Sequence, residues 1–229
     1  MLALKDAKEI ELREYQTEAV EALRRKIRAD QKRLVLCAGT GAGKTVIASH
    51  LLRQADLKGS YALFLVDRVA LVNQTSATLD AYGIHHGVLQ GSGHKRYAPR
   101  ENVQVCSIQT LANRRLPREP SLIIYDECHA QYKSTLDYMA QHPNAVKIGL
   151  TATPFSKGMG KHWDGMVNVI PTRALIDGGH LIQPKMYVAK SPEEAELGLD
   201  GFGEYTKESA STAGIRIVGD VVAEWVAKT

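Results

Sequence analysis

The sequence predicts an α/β protein built on a doubly wound, mainly parallel sheet with helices on both faces. Short apolar runs alternate with amphipathic stretches through residue 154, the pattern of strand–helix–strand units. The runs are continuously apolar, as in "YALFLVD" (61–67), "SLIIYDE" (121–127) and "AVKIGLTAT" (145–153), and strands covered on both faces read this way. A glycine-rich turn, "AGTGAGKT" (38–45), joins one such run to a helical pattern.

Taken in order, "LREYQTEAVEALRRKIRAD" (12–30) places Leu12, Tyr15, Ala19, Leu23 and Ile27 at helical spacing with charges between them, which predicts a surface helix over a core. "KRLVLC" (32–37) is the first strand, and a helix follows the glycine turn. "YALFLVD" leads to a helix over 68–83, "NVQVCSIQT" (102–110) to "LANRRL" (111–116), and "SLIIYDE" to "STLDYMAQH" (134–142). "AVKIGLTAT" closes the series. "FSKGMGKHWDG" (155–165) is rich in Gly and Lys and is expected to be a loop, mobile over 157–165. "PTRALIDGGHLIQPKMYVAK" (171–190) reads as a short helix, a Gly-Gly stop and an extended segment. The acidic stretch to 212 lacks periodicity, is expected to be mobile over 190–212, and precedes a new helix at 214–229. The expected division is a domain over 1–189 and a linker or appendage over 190–229.

Composition narrows the class. The 229 residues suffice for one large domain with an appendage, and 44% hydrophobic with 24% charged residues is ordinary for a soluble globular protein. No apolar run reaches the length of a membrane span, and "MLALKDAKEIELREYQ" lacks a signal-peptide core, so the expectation is a cytoplasmic protein without a membrane partner. Cys37, Cys106 and Cys128 form no C-x-x-C pair, which argues against a disulfide framework or zinc site and for small buried hydrophobes. A net charge of +4 permits a polyanionic partner without demanding one. His85, His86 and His94 lie in glycine-bearing loop sequence and are read as solvated.

Two motifs carry chemistry. A strand, a glycine-rich loop and Gly-Lys-Thr opening a helix form a phosphate cradle: backbone N–H groups point inward, the helix N-terminus favours anions, and Lys44 adds a point charge. Thr45 would place its hydroxyl on Mg²⁺. The P-loop pattern G-x-x-x-x-G-K-[ST] is not met to the letter, because its first position is Ala38. The second motif is "DECH" (126–129). A buried carboxylate is costly unless it is paired or meets a metal, and ligands of open α/β sheets bind at the carboxyl ends of strands. Asp126 suits a strand-end acid for Mg²⁺, and Glu127 suits the group that activates the attacking water.

With these motifs the chain resembles the first RecA-like, ATP-binding domain of a superfamily 2 helicase or translocase of the DEAD/DEAH type, a P-loop NTPase. Within that group it most resembles the bacterial and phage branch near RadD and the type III restriction helicase subunits. "AGTGAGKT" is similar to motif I (A-x-x-G-x-G-K-T), "DECH" to motif II and "TAT" (151–153) to motif III. "LREYQ" (12–16) resembles the adenine-reading segment, "LVDRVALVNQ" (65–74) motif Ia and "SIQTL" (107–111) motif Ib. The resemblance covers 12–154, with the motifs in family order.

It implies ATP and Mg²⁺ as cofactors. Arg13 and Gln16 would read adenine; Thr40, Gly41, Ala42, Gly43, Lys44 and Thr45 would hold the triphosphate and metal. Asp126 would bind Mg²⁺ through water, and Lys44, Asp126 and Glu127 would be catalytic. His129, Thr151 and Thr153 would couple the phosphate site to a second RecA-like domain, in the same parent chain or a partner subunit. Arg68, Gln109 and Thr110 would face a nucleic-acid backbone, DNA favoured over RNA, through contacts that position without reading sequence. "GHKRYAPR" (93–100) offers a phosphate track with Tyr97 stacking on a base, or a plain exposed loop.

Nothing after 154 resembles the family's second-domain motifs, so the chain is expected to be a cut domain, a fragment or half of a split protein. Two other readings stand beside the ATPase, in a bacterial or phage-infected cell. One is a nucleic-acid or partner binding module with vestigial ATPase, against which the intact "GKT" and "DE" count. The other is a small-molecule P-loop kinase, which has no evident place for "DECH" with "TAT".

Overall fold

The apolar runs become strands whose side chains alternate between two cores. A computed structural model of the chain describes residues 9–91, 93–111, 114, 116–184, 206 and 211. The chain groups into two compact units, 1–181 and 182–229, and the first contains all the elements named here. The expected boundary at 189/190, the helix at 214–229 and, apart from two residues, the stretch 190–212 lie outside the described residues.

Helix α1 (Glu14–Arg28) buries Tyr15, Gln16, Ala19, Val20 and Leu23 along one face and ends in Arg25, Lys26 and Arg28, cations that suit a helix C-terminus. Then follow β1 (Arg33–Cys37), α2 (Lys44–Leu57), β2 (Ala62–Val66), α3 (Val69–Ala81), β3 (Gly87–Leu89), β4 (Val103–Ser107), α4 (Ile108–Leu111), β5 (Leu122–Tyr125), α5 (Lys133–Gln141), β6 (Val146–Thr151), β7 (Gly165–Asn168) and α6 (Thr172–Asp177). The seven strands form one sheet in the order β3-β4-β2-β5-β6-β1-β7, and every pair is parallel. The sheet is thus wholly rather than mainly parallel.

Leu34 and Leu36 face a core shared with α1, α2 and α3, including Leu23, Ile47, Leu52 and Val72. Val35, Leu63, Leu65, Ile123 and Tyr125 face the other core, with Ile108, Leu111, Tyr138 and Met139 of α4 and α5. Each fully buried leucine contributes about 2 kcal/mol. Cys106 and Cys128 are buried and Cys37 half-buried, all three as free thiols, and burial pushes the Cys106 thiol far above its ordinary pKa.

Four expectations change. The Gly- and Lys-rich stretch 155–165 is not a free loop: Met159 and Trp163 are buried, each 7% exposed, in the second core. A short 3-10 turn at Met159–Lys161 and then β7 carry the chain back to the sheet edge. The strands β3 and β7, three and four residues long, went unforeseen because neither makes an apolar run. The helix after β4 begins inside the expected strand and spans one turn; Ala112, Asn113 and Arg115 of "LANRRL" lie outside the described residues.

His86 is the fourth. It is buried beside β3 rather than solvated, whereas His85 is exposed. Its Nδ1 lies 2.8 Å from the Ile84 carbonyl and its Nε2 2.7 Å from Ser76 Oγ. A carbonyl only accepts, so Nδ1 carries the proton and the neutral Nε2 accepts from the serine hydroxyl. Burial lowers the imidazole pKa, only partly offset by the bond to Ile84. The unfolded chain therefore binds more protons between this lowered value and the ordinary one, about 6.5. Stability is expected to be full above that range and to fall as pH drops through it. Denaturant midpoints at pH 7 and pH 5 check this: the decline should be shallower in His86→Gln, which does not titrate.

Candidate active site

Parallel pairing puts the carboxyl ends of the strands on one edge of the sheet. Cys37 pairs with Thr151, Tyr125 with Gly149, Leu65 with Tyr125 and Val66 with Ser107. Along this edge the sequence after β4 brings Gln109 and Thr110, β2 brings Asp67 and Arg68, and β5 brings Asp126 and Glu127. Thr151 and Thr153 follow from β6, and the glycine loop from β1. At a strand spacing of about 4.8 Å, the loop and the Gln109–Thr110 turn stand ~19 Å apart.

The glycine loop leaves β1 with the Ala38 N–H donating to Thr151 O at 3.0 Å. Gly41 and Gly43 each have φ of +83°, the left-handed region that only glycine enters cheaply, and Gly43 caps α2. A Cβ on Gly43 would lie 2.3 Å from Gln16 Nε2, so a side chain here would have to displace the Gln16 amide in addition to straining the backbone. Lys44 Nζ donates to Ala38 O at 3.2 Å, curling its ammonium over the loop. Thr45, the second helical residue, is exposed.

Gln16 is not a polar residue on an open helix face: it is 3% exposed. Its Oε1 accepts from the Arg13 backbone N–H at 3.0 Å, and its Nε2 donates to Ala42 O at 3.0 Å. These two bonds leave one amide hydrogen and one lone pair over, and they make the buried side chain a brace between α1 and the loop. Arg13 is exposed, with its guanidinium on Tyr15 Oη at 3.1 Å.

Asp126 and Glu127 follow the last residue of β5, both half-buried. Burial, then the like charge of Glu127, pushes the Asp126 carboxyl above the usual carboxylate range, opposed by the Glu127 N–H and Lys44. That N–H donates to Asp126 Oδ1 at 3.1 Å. Glu127 itself has φ of +50° and ψ of 48°, which costs a non-glycine residue about 1–2 kcal/mol. Such strain persists where surrounding structure imposes it, often at functional sites; here it turns the chain sharply off the buried strand. The donors on offer for a metal are the Thr45 hydroxyl and the Asp126 carboxylate. Hard oxygen ligands of this kind suit Mg²⁺, which keeps waters and shares phosphate oxygens. Among the described residues no group of three or more His, Cys, Asp or Glu could hold a metal.

The third motif joins the second. His129 Nδ1 stands 3.0 Å from Thr151 Oγ1 and 3.3 Å from Glu127 Oε2. Thr151 Oγ1 also accepts the Thr153 N–H at 3.0 Å. A continuous polar path therefore runs from Glu127 through His129 and Thr151 to Thr153.

Beyond β2, Arg68 is 80% exposed and only loosely paired with Asp67, at 3.9 Å. Gln109 is tied inward: its Nε2 donates to Asp67 O at 3.0 Å and its Oε1 accepts from Ser107 Oγ at 2.6 Å. Thr110 Oγ1 accepts the Gly91 N–H at 2.9 Å, and Arg114 donates to Gly91 O at 2.7 Å. Arg114 also lies over the Tyr97 ring, 5.1 Å from its centroid, while Tyr97 remains 52% exposed. Of the three candidate nucleic-acid contacts, Arg68 and Gln109 are exposed and Thr110 half-buried, with Arg68 the least committed to other bonds, and the Tyr97–Arg114 pair stands beside them.

A cavity of about 420 Å³ lies elsewhere, at the foot of β1, β6 and β7, lined among others by Lys32, Arg33, Leu136, Lys147 and Asp164. It is at the opposite edge of the sheet from the motifs. A triphosphate site is a surface cradle of backbone N–H groups rather than a deep hollow, so the glycine loop is the better candidate. Sequence reasoning missed one participant: the stretch from Thr172 to Leu181 packs on the glycine loop, with Leu175 buried against Tyr15, Ala38 and Ala42. No local pattern announces that contact.

A sequence profile of the family described as "Type III restriction enzyme, res subunit" matches residues 9–156. The 51.5 kDa protein of Lactococcus phage (isolate 7-9) is 30% identical over 195 residues, 81% of this chain and 39% of the phage protein. DNA 3'-5' translocase XPB2 of Sulfurisphaera tokodaii is 29% identical over 217 residues, 91% of this chain and 47% of the translocase. The chain spans less than half the length of either relative. Among solved structures, the UvsW helicase from bacteriophage T4 matches 72% of this chain and 64% of that one, with a TM-score of 0.56 and 19% identity. That likeness is one of fold.

Proposed function

Because the chain belongs to the type III restriction enzyme res-subunit family, with a RecA-like fold, we propose that it is the ATP-binding lobe of a nucleic-acid-dependent ATPase that moves along or unwinds DNA. The observation that carries this reading is the order of groups along one sheet edge: glycine loop with Lys44, Thr151, the Asp126–Glu127 pair, then Arg68. The loop and Lys44 bind the phosphates. Thr45 and Asp126 hold Mg²⁺, which supplies charge neutralisation at the phosphoryl oxygens. Glu127 orients and deprotonates the attacking water, and His129 with Thr151 and Thr153 passes the state of the phosphate site outward. Arg13 and Gln16 take the adenine. Phe155, 88% exposed just past Thr153, leaves apolar surface on this edge for a second RecA-like lobe. No described helix is long and apolar enough to cross a membrane, and the place of action proposed is the cytoplasm of a bacterial or phage-infected cell.

Lys44→Ala tests the reading. Losing one preorganised charge donor costs ~10²–10³ in rate, so ATP turnover of the intact enzyme should fall by that factor while its thermal melting is unchanged. Turnover at the wild-type level would reject the cradle.

Arg68 tests the nucleic-acid face. Arg68→Ala in the intact enzyme is expected to weaken binding about equally for unrelated sequences. It should also reduce the slope of log K against log salt by ~0.7–0.9, the value of one phosphate contact. Loss confined to one sequence would make Arg68 a base reader instead.

A further inference from the structure

Each of the first three loop glycines is pressed by a different side chain. A Cβ on Gly39 would lie 3.0 Å from Thr172 Oγ1, one on Gly41 2.6 Å from Leu181 Cδ2, and one on Gly43 2.3 Å from Gln16 Nε2. The loop is therefore gripped from two sides, by α1 and by the stretch that begins with α6. That stretch is well anchored. Leu175 is fully buried, and its carbonyl accepts the N–H groups of both His180 and Leu181, at 2.8 and 3.0 Å. These two hydrogen bonds to one carbonyl, just past Gly178 and Gly179, turn the chain back over the loop.

The turn also fixes an exposed ring. His180 packs against Tyr15, with ring centroids 5.6 Å apart and planes tilted by 55°. Tyr15 is buried while His180 is exposed, so Tyr15 holds the imidazole from one side and solvent meets it elsewhere. Tyr15 immediately precedes Gln16, whose amide is bonded to the loop at Ala42. A flat, held, solvent-facing ring beside the glycine loop has the chemistry of a stacking face for a heterocyclic base.

We propose that Thr172–Leu181 forms part of the nucleotide site, with Leu181 walling the phosphate loop at Gly41 and the His180 ring stacking on the base. The inference rests on the phosphate-cradle reading above but adds residues that no motif supplies. Leu181 acts as a positioning residue, because it shapes the loop through Gly41.

Calorimetric titration of the 229-residue chain with ATP and with inorganic triphosphate separates the roles. An aromatic stacking contact corresponds to about 3- to 10-fold in affinity. His180→Ala is expected to weaken ATP by that factor and to leave triphosphate unchanged, while His180→Phe keeps wild-type affinity for both. Leu181→Ala is expected to weaken both ligands alike. Unchanged ATP affinity in His180→Ala and Leu181→Ala, with Lys44→Ala abolishing binding, would overturn this inference and leave the cradle standing. Equal loss of ATP and triphosphate in His180→Ala would also overturn the stacking role. A wild-type chain that binds neither ligand would overturn the cradle itself, and this inference with it.

Discussion

Supplying a second RecA-like lobe, in one chain or as a separate piece, is expected to raise ATP turnover of residues 1–229 by about 10³–10⁵. Turnover should then depend on nucleic acid. The factor is that of an arginine delivered across a cleft to the γ-phosphate in P-loop enzymes. In the proposed reading, Lys44 serves the cradle, Asp126 the metal and Glu127 the attacking water, and these hold a nucleotide. The transition state also needs its developing charge met from the far side. On the proposed reading, the exposed Phe155, two residues past Thr153, would be a place for such a lobe to dock, and the polar path from Glu127 to Thr153 would be the signal it reads. Turnover by 1–229 alone should be slow, and strand separation absent. Vigorous unwinding by this chain as a monomer would contradict the need for a second lobe.

Glu127→Gln in the intact enzyme is expected to bind ATP and Mg²⁺ normally while losing ~10²–10⁴ in turnover, the usual worth of a positioned general base. The amide keeps the size and hydrogen bonding of the side chain, and the strained backbone at φ of +50° is unaffected. Asp126→Ala should behave differently. It removes the metal's carboxylate, so the Mg²⁺-dependent part of nucleotide affinity should fall. Equilibrium binding with and without Mg²⁺, beside single-turnover hydrolysis, separates the two. Normal hydrolysis by Glu127→Gln would remove this residue from the catalytic role.

The parts of this site legible in the sequence are those made by contiguous residues. The glycine loop is local: a buried strand, two glycines at positive φ and Lys44 opening a helix follow each other directly, so spelling and geometry coincide. The Asp126–Glu127 pair is legible for the same reason, since the strand LIIY ends where the acids begin. What escaped was contact across distance. Leu181 meets Gly41 from far along the chain, and nothing in "DGGHL" marks it. Met159 and Trp163 are two buried side chains in a polar, glycine-bearing run, which carries no periodicity to read. His86 reads as solvated in the sequence because the three-residue strand beside it is too short to form a pattern. Gln109 and Thr110 show the reverse: their types suit phosphate contacts, but the structure spends much of their hydrogen bonding on Asp67, Ser107 and Gly91.

The central claim is that the loop at 38–45 takes the phosphates of ATP. Amide chemical-shift mapping of the isotope-labelled chain during titration with Mg²⁺ and ATP tests it residue by residue. The backbone N–H signals of Gly41, Gly43, Lys44 and Thr45, with the Gln16 side-chain amide, are expected to move together and to saturate, and Lys44→Ala should abolish the response. Saturable shifts confined to Lys32, Arg33 and Lys147, at the cavity on the opposite edge of the sheet, with the glycine loop silent, would contradict it.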